Sequence, residues 1–266
     1  TPRQIRVYQA MGLPESEYPA FAHLPFVMGQ DNTKLSKRNG EVSIAWYKDA
    51  GFLPEAICNY LALLGWSPGD DRENVSMQEL CDLFTVERVN SSPARFDMKK
   101  LQAINGDKIR ALSAQRFLEL AKEWLIKSKL ITGTGEQLAI LQKALPIIQE
   151  RVATLAEISP LLKFLFVKPF QIEPDSLAQI KNDSAKDVLV KSLTALQEVN
   201  NWTHSEIEAV LRKLLIDGMG LKPRLAFGPV RIAVTGSTVS PPLFESMELL
   251  GKTESLSRIS LAISTI

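Results

Sequence analysis

The sequence predicts a mainly α protein, a short α/β remnant followed by an all-helical array. Three observations carry that reading. Beyond about Leu112, amphipathic patterns at helical spacing follow one another with no convincing strand. The only run of strand length and strand character is Leu24–Met28, near the start. Glycine- and proline-bearing breaks at Gly133–Gly135, Pro169–Pro174 and Gly218–Gly220 cut the array into pieces, with the main seam expected at Pro169–Pro174.

Each element has its own local signal. Thr1-Pro2-Arg3-Gln4 reads as a helix start, with Thr1 as cap, Pro2 at the first helical position and Gln4 where a capping-box side chain reaches back. That helix should stop at Gly12. Leu24–Met28 is the strand, and Gly29–Gly40 is polar and glycine-flanked, hence a loop. Helices follow over Ser43–Ala50 with Gly51 as stop, over Pro54–Leu64 ending at Gly65, from the box Ser76-Met77-Gln78-Glu79 to Phe84, and from the cap Asp97 through Ile104. The array then comprises Ala114–Lys129, Glu136–Glu150, Leu161–Phe166, Ser184–Val199 and Thr203–Leu215, with last segments near Arg224–Val234, Pro242–Leu250 and Thr253–Ala262. The expected divisions are residues 1–112, 113–171 and 172–266.

The chain has 266 residues, 45% of them hydrophobic and 23% charged, so it can bury a full core in two or three domains. The longest apolar run, Ala56–Trp66, is broken by Asn59 and Tyr60 and falls short of the roughly 18 residues of a membrane helix. Cys58 and Cys81 stand far apart with no His or Cys at ligand spacing, so they are expected to be reduced core thiols of a cytoplasmic protein, with no metal site. A net charge of +1 excludes nucleic-acid binding by bulk charge alone but allows basic strips on one face. Thr1 is not a start methionine, and the chain reads as a fragment. Trp46, Trp66, Trp124 and Trp202 are packing residues before they are stacking platforms.

Lys34-Leu35-Ser36-Lys37-Arg38 carries the chemistry. Two ammonium groups flank a hydroxyl and a guanidinium follows, all on a loop leaving a strand. Such a loop can fold over a polyphosphate, its lysines stabilising charge that grows on a pyrophosphate leaving group. The segment resembles the KMSKS motif of class I aminoacyl-tRNA synthetases, in the K-L-S-K-R form of glutamyl enzymes. His23-Leu24-Pro25 lies just upstream, as in that family. Gly51-Phe52-Leu53-Pro54-Glu55-Ala56, Asn59-Tyr60-Leu61, Leu64-Gly65-Trp66-Ser67, Phe96-Asp97, Pro229-Val230-Arg231 and Pro242-Leu243-Phe244-Glu245 follow in the family's order. By this resemblance the chain is similar to bacterial-type glutamyl-tRNA synthetases along essentially its whole length.

The resemblance implies ATP-dependent ligation of L-glutamate to tRNA, with ATP and Mg2+ as cofactors of the full-length enzyme. Lys37 is implied as the catalytic lysine, with Lys34, Ser36 and Arg38 completing the ATP-binding loop. It also implies the end of a class I catalytic domain and a stem-contact region over 1–112, then two helical anticodon-binding subdomains. Gln149, Arg151 and Arg231 are the residues carried over for tRNA and anticodon contact. Gln149 stands where some members have a discriminating arginine. It reads either as the relaxed form, admitting tRNA(Gln) beside tRNA(Glu), or as a neutral surface residue. The family's His-Ile-Gly-His element is missing: the only histidines are His23 and His204, and His23 is expected to pack or to position the loop. The chain alone is therefore expected to be inactive, and a monomer. A stand-alone, non-catalytic tRNA-binding protein is the alternative reading.

Overall fold

The computed structural model describes residues 1–29, 33–35, 43–90 and 92–266. Helix α1 (Pro2–Ala10) forms and ends before Gly12, whose φ of 74° suits glycine. Its expected cap differs: the Thr1 hydroxyl pairs with His23 Nε2 at 2.7 Å and caps no helical amide. Strand β1 is only Val27–Met28, and it pairs in parallel with β2 (Ala94–Arg95), a strand too short to leave a sequence signal.

The next helices are α2 (Ile44–Asp49), α3 (Pro54–Leu63), α4 (Met77–Leu83) and α5 (Met98–Arg110). Ser43 caps α2, Asp97 caps α5 through the amides of Lys99 and Lys100, and α4 opens on the complete capping box between Ser76 and Glu79. Helix α5 outruns its expected end at Ile104, because Ile109 one turn further on is buried in the first core and packing carries the helix to Arg110.

The array continues through α6 (Ala114–Lys127), α7 (Gly135–Gln149), α8 (Ile158–Phe166), α9 (Pro174–Ile180), α10 (Asp183–Gln197), α11 (His204–Leu211), α12 (Pro223–Thr235), α13 (Leu243–Leu250) and α14 (Lys252–Thr265). Helix α9 fills a stretch without a sequence prediction. Helix α11 does not run to Leu215 as one α-helix; its register widens into a π turn over Arg212–Gly218.

Two large apolar cores organise these helices. One gathers Tyr47, Phe52, Leu101, Phe117, Leu141 and Leu162 from α2 to α8, and the other gathers Val188, Leu211, Val230, Met247 and Ile259 from α10 to α14. Trp66 belongs to a small third cluster with Val75 and Leu80, and Trp46, Trp124 and Trp202 pack against the large cores. The cysteines depart from expectation: Cys58 and Cys81 are both exposed, on the outward faces of α3 and α4. A cysteine's average preference for burial gives way to helix phase, which turns Ala56, Asn59 and Tyr60 inward instead.

Candidate tRNA-contact site and lysine-loop root

The lysine loop leaves from β1. The Leu35 amide donates to Val27 O at 2.9 Å, the Gly29 amide donates to Thr33 O at 2.8 Å, and Lys34 bridges Met28 in antiparallel fashion. The root of the loop is thus tied back to β1 by a single antiparallel bridge. Lys34 lies over the Phe26 ring, its Nζ 3.7 Å from the centroid, a cation–π contact. Ser36, Lys37 and Arg38 lie outside the described residues. Among the described residues, no three His, Cys, Asp or Glu side chains gather as metal ligands.

The corner between α2 and α3 is locked to the segment after α7. Gly51 O accepts the Leu155 amide at 2.9 Å, and a Cβ on Gly51 would meet Ala156 N at 2.5 Å. Fully buried Asn105 of α5 serves both sides of this joint: its Oδ1 accepts the Leu53 amide at 2.8 Å and its Nδ2 donates to Ala153 O. Both partners are backbone groups that would otherwise be buried unpaired.

Gln149, the last residue of α7, sits beside this joint. Its Nε2 donates to Ile109 O at 2.9 Å and Leu112 O at 3.0 Å, with Arg110 O at 3.5 Å. The side chain therefore serves the orphan carbonyls at the C-terminus of α5, a role seen in neither sequence alternative. Arg151, two residues on, is exposed; its amide donates to Ile148 O at 2.9 Å, and its guanidinium makes no hydrogen bond or ion pair among the described residues. Arg231 projects from α12, half-buried, donating from Nη1 to Ser240 Oγ at 2.6 Å and Pro241 O at 2.9 Å. Burial lowers its basicity most, the like charge of Arg151 lowers it further, and Glu245 pulls the other way. The fold thus places two predicted residues, 80 positions apart in sequence, within electrostatic reach of each other.

Other basic residues are committed within the protein. Arg88 donates to Pro68 O at 2.8 Å, Lys100 pairs with Glu73 at 2.7 Å, and Arg110 pairs with Asp107. Arg231 also lines an open groove of about 870 Å³ with Asn182, Arg224, Phe227 and Thr238. A cation, an aromatic face and small polar groups around one opening suit a splayed nucleotide. The sequence reading did not assign Asn182, Phe227 or Thr238; only folding brings the α10 start to the first turns of α12.

Comparison with known proteins agrees with this layout. Residues 1–103 match the family model described as the catalytic domain of class I tRNA synthetases (E and Q), and residues 116–263 match an anticodon binding domain. Together they define a class I aminoacyl-tRNA synthetase that has an anticodon-binding region. The glutamate–tRNA ligase of Saccharopolyspora erythraea is 46% identical over 265 residues, 97% of this chain and 52% of its own length. That of Kocuria rhizophila is 46% identical over 98% of this chain and 52% of its own. A crystal structure of a glutamate tRNA ligase from Elizabethkingia meningosepticum superposes with a TM-score of 0.77 at 27% identity, covering 98% of this chain and 54% of that one. This chain belongs to the glutamyl-tRNA synthetase family, and it spans about half the length of the curated relatives it matches.

Proposed function

We propose that this chain supplies the lysine loop and the tRNA-reading half of a glutamate–tRNA ligase. One observation carries the tRNA side of this reading: Arg151 and Arg231 are delivered by two different helical cores, and Arg151 stands close enough to disfavour the charge of Arg231. Like charges kept together have a purpose when an anion is to lie between or beside them, and a tRNA backbone is such an anion. The groove next to Arg231 would take an unstacked anticodon base, since the edges of an A-form stem are buried in a deep groove. The proposed division is a catalytic end with stem-contact region over 1–112 and anticodon-binding subdomains over 113–171 and 172–266.

In the whole enzyme, glutamate carboxylate attacks the α-phosphate of ATP, giving glutamyl-adenylate and pyrophosphate. The terminal ribose of tRNA(Glu) then takes the glutamyl group. Lys37 stabilises the developing charge, with Lys34, Ser36 and Arg38 shaping the loop and Mg2+ arriving on the ATP phosphates. Lys34 is tied at the strand root by its bridge to Met28 and its contact with the Phe26 ring. These 266 residues contain no His-Ile-Gly-His element and are proposed not to form adenylate by themselves. The reading includes a monomeric protein acting in the cytoplasm; among the described residues no helix is long and apolar enough to cross a membrane.

Filter binding of tRNAs bearing the glutamate, the glutamine and a scrambled anticodon, at two salt concentrations, tests the reading. The glutamate tRNA should bind tightest, with affinity falling steeply as salt rises. Arg231→Ala should cost about 1–3 kcal/mol of the preference for it. Equal affinity for all three tRNAs would reduce the interaction to non-specific attraction. Relaxed specificity at Gln149 predicts that the glutamine tRNA also binds well and that Gln149→Arg selects against it by about 1–3 kcal/mol. Arginine at this position can still donate to the α5 carbonyls, so the substitution keeps the cap while adding charge.

A further inference from the structure

The two helical cores meet at a seam spanned by the Val167–Glu173 strap. Arg258 of α14 lies in that seam with 4% of its side chain exposed. Every nitrogen of its guanidinium has a partner. Nε pairs with Glu254 Oε1 at 2.7 Å, Nη1 donates to Val234 O at 2.9 Å, and Nη2 donates to Phe164 O at 3.0 Å. The face of the group lies over the Phe170 ring, 4.0 Å from its centroid.

The two carbonyls are the informative partners. Phe164 is in the last turn of α8, whose Ile158 and Leu162 belong to the first core. Val234 is in the last turn of α12, whose Ala226 and Val230 belong to the second. Carbonyls in a helix's last turn have no partner within the helix and carry the negative end of its dipole. A planar cation with donors in a fixed fork can bridge two such ends at once, which an ammonium on a flexible stem cannot do with the same geometry. The strap is fastened to the same place: the Glu173 amide donates to Gly236 O at 2.9 Å, and a Cβ on Gly236 would meet Gln171 O at 2.7 Å.

We infer that Arg258 is a positioning residue for anticodon reading: it fixes α12 against α8, and so sets where Arg231 stands relative to Arg151. Arg231 is one turn back from the braced end of α12, its carbonyl accepting the Thr235 hydroxyl at 2.8 Å. Arg151 rides on the first core through α7. Loosening the brace leaves each core intact and lets the two arginines drift apart. This rests on the tRNA reading above.

The test measures both geometry and binding. In the 266-residue chain carrying Cys58→Ser and Cys81→Ser, spin labels at Lys122→Cys on α6 and Lys186→Cys on α10 report the distance between the two cores. Arg258→Met should broaden that distance distribution while helix content by circular dichroism stays unchanged, and Arg258→Lys should restore it in part. The same Arg258→Met change should lower the preference for a glutamate over a scrambled anticodon by roughly tenfold, with affinity for the scrambled tRNA unaltered. Unchanged distances in Arg258→Met overturn the brace. Broadened distances with full discrimination overturn the positioning role. If the unsubstituted chain shows no discrimination, the tRNA reading and the positioning role fall together, while the distances still decide the brace. If Arg258→Met loses helix content, Phe170→Leu removes only the ring beneath the cation; smaller broadening is expected, and unchanged distances again overturn the brace.

Discussion

The segment before Ile44 and the helical body after it obey the same local rules with different packing. Helix α1 has proline at its start and glycine just past its end, yet none of its nine residues is buried. Met11 and Leu24 are 68% and 74% exposed, and the parallel pairing of β1 with β2 is two residues long. In the body, helices with the same kinds of signal close around two cores and a small satellite cluster. Capping and turn chemistry therefore suffice to place an element, whereas burial determines how much one side chain matters. The described root of the lysine loop, residues 33–35, belongs to the thinly packed region, and Arg151 and Arg231 stand on the densely packed one.

The largest expected effect is at the joint between α3 and the segment after α7. Gly51→Ala puts a Cβ at φ 80° against the backbone of Leu155 and Ala156. It should destabilise the chain by about 3–5 kcal/mol, as a strained conformation and a backbone clash add. Urea unfolding measures this, and a loss below about 1 kcal/mol would show that the joint yields readily. Asn105→Ala should follow at about 2–4 kcal/mol, because it strips the Leu53 amide and the Ala153 carbonyl of their buried partner. A near-neutral result would mean that water replaces the side chain.

Ser76→Ala removes half of the α4 capping box and should cost about 1 kcal/mol. The box also has a pH signature. The Ser76 amide and hydroxyl, helped by Arg72, hold the Glu79 carboxyl below the usual carboxylate range. That contribution is present above the unfolded carboxylate value and is lost as pH falls through the lowered folded one. The stability gap between Ser76→Ala and the unsubstituted chain should accordingly narrow on acidification, as parallel unfolding curves would reveal. The smallest change belongs to the other region: Met11→Ser should alter stability by less than about 0.5 kcal/mol. A loss of 2 kcal/mol there would end the contrast between the two regions.

Much of the fold was legible locally. The capping box at Ser76, the cap at Asp97 and the helical phase of the array all rest on hydrogen bonds and periodicity within a few residues. Legibility failed where a distant partner decided. Thr1 looks like a cap until His23 claims its hydroxyl. Arg258 had a signal that went unused: Ser255, Arg258, Ile259 and Ala262 form the buried stripe of α14, so a charge sat at a core position. A cation on an apolar stripe announces a buried partner without saying which one.

The sequence by itself determined the helical architecture, the lysine motif and the family, because capping, helical phase and motif order reside in neighbouring residues. Only the tertiary structure decided that Arg151 comes within electrostatic reach of Arg231, that Gln149 caps α5, and that Arg258 joins the ends of α8 and α12. Those relations depend on carbonyls and charges contributed by segments up to 94 residues away. An orphan carbonyl has no side-chain identity, so no letter in the sequence can mark it; its partner is known only when the two helix ends are brought together.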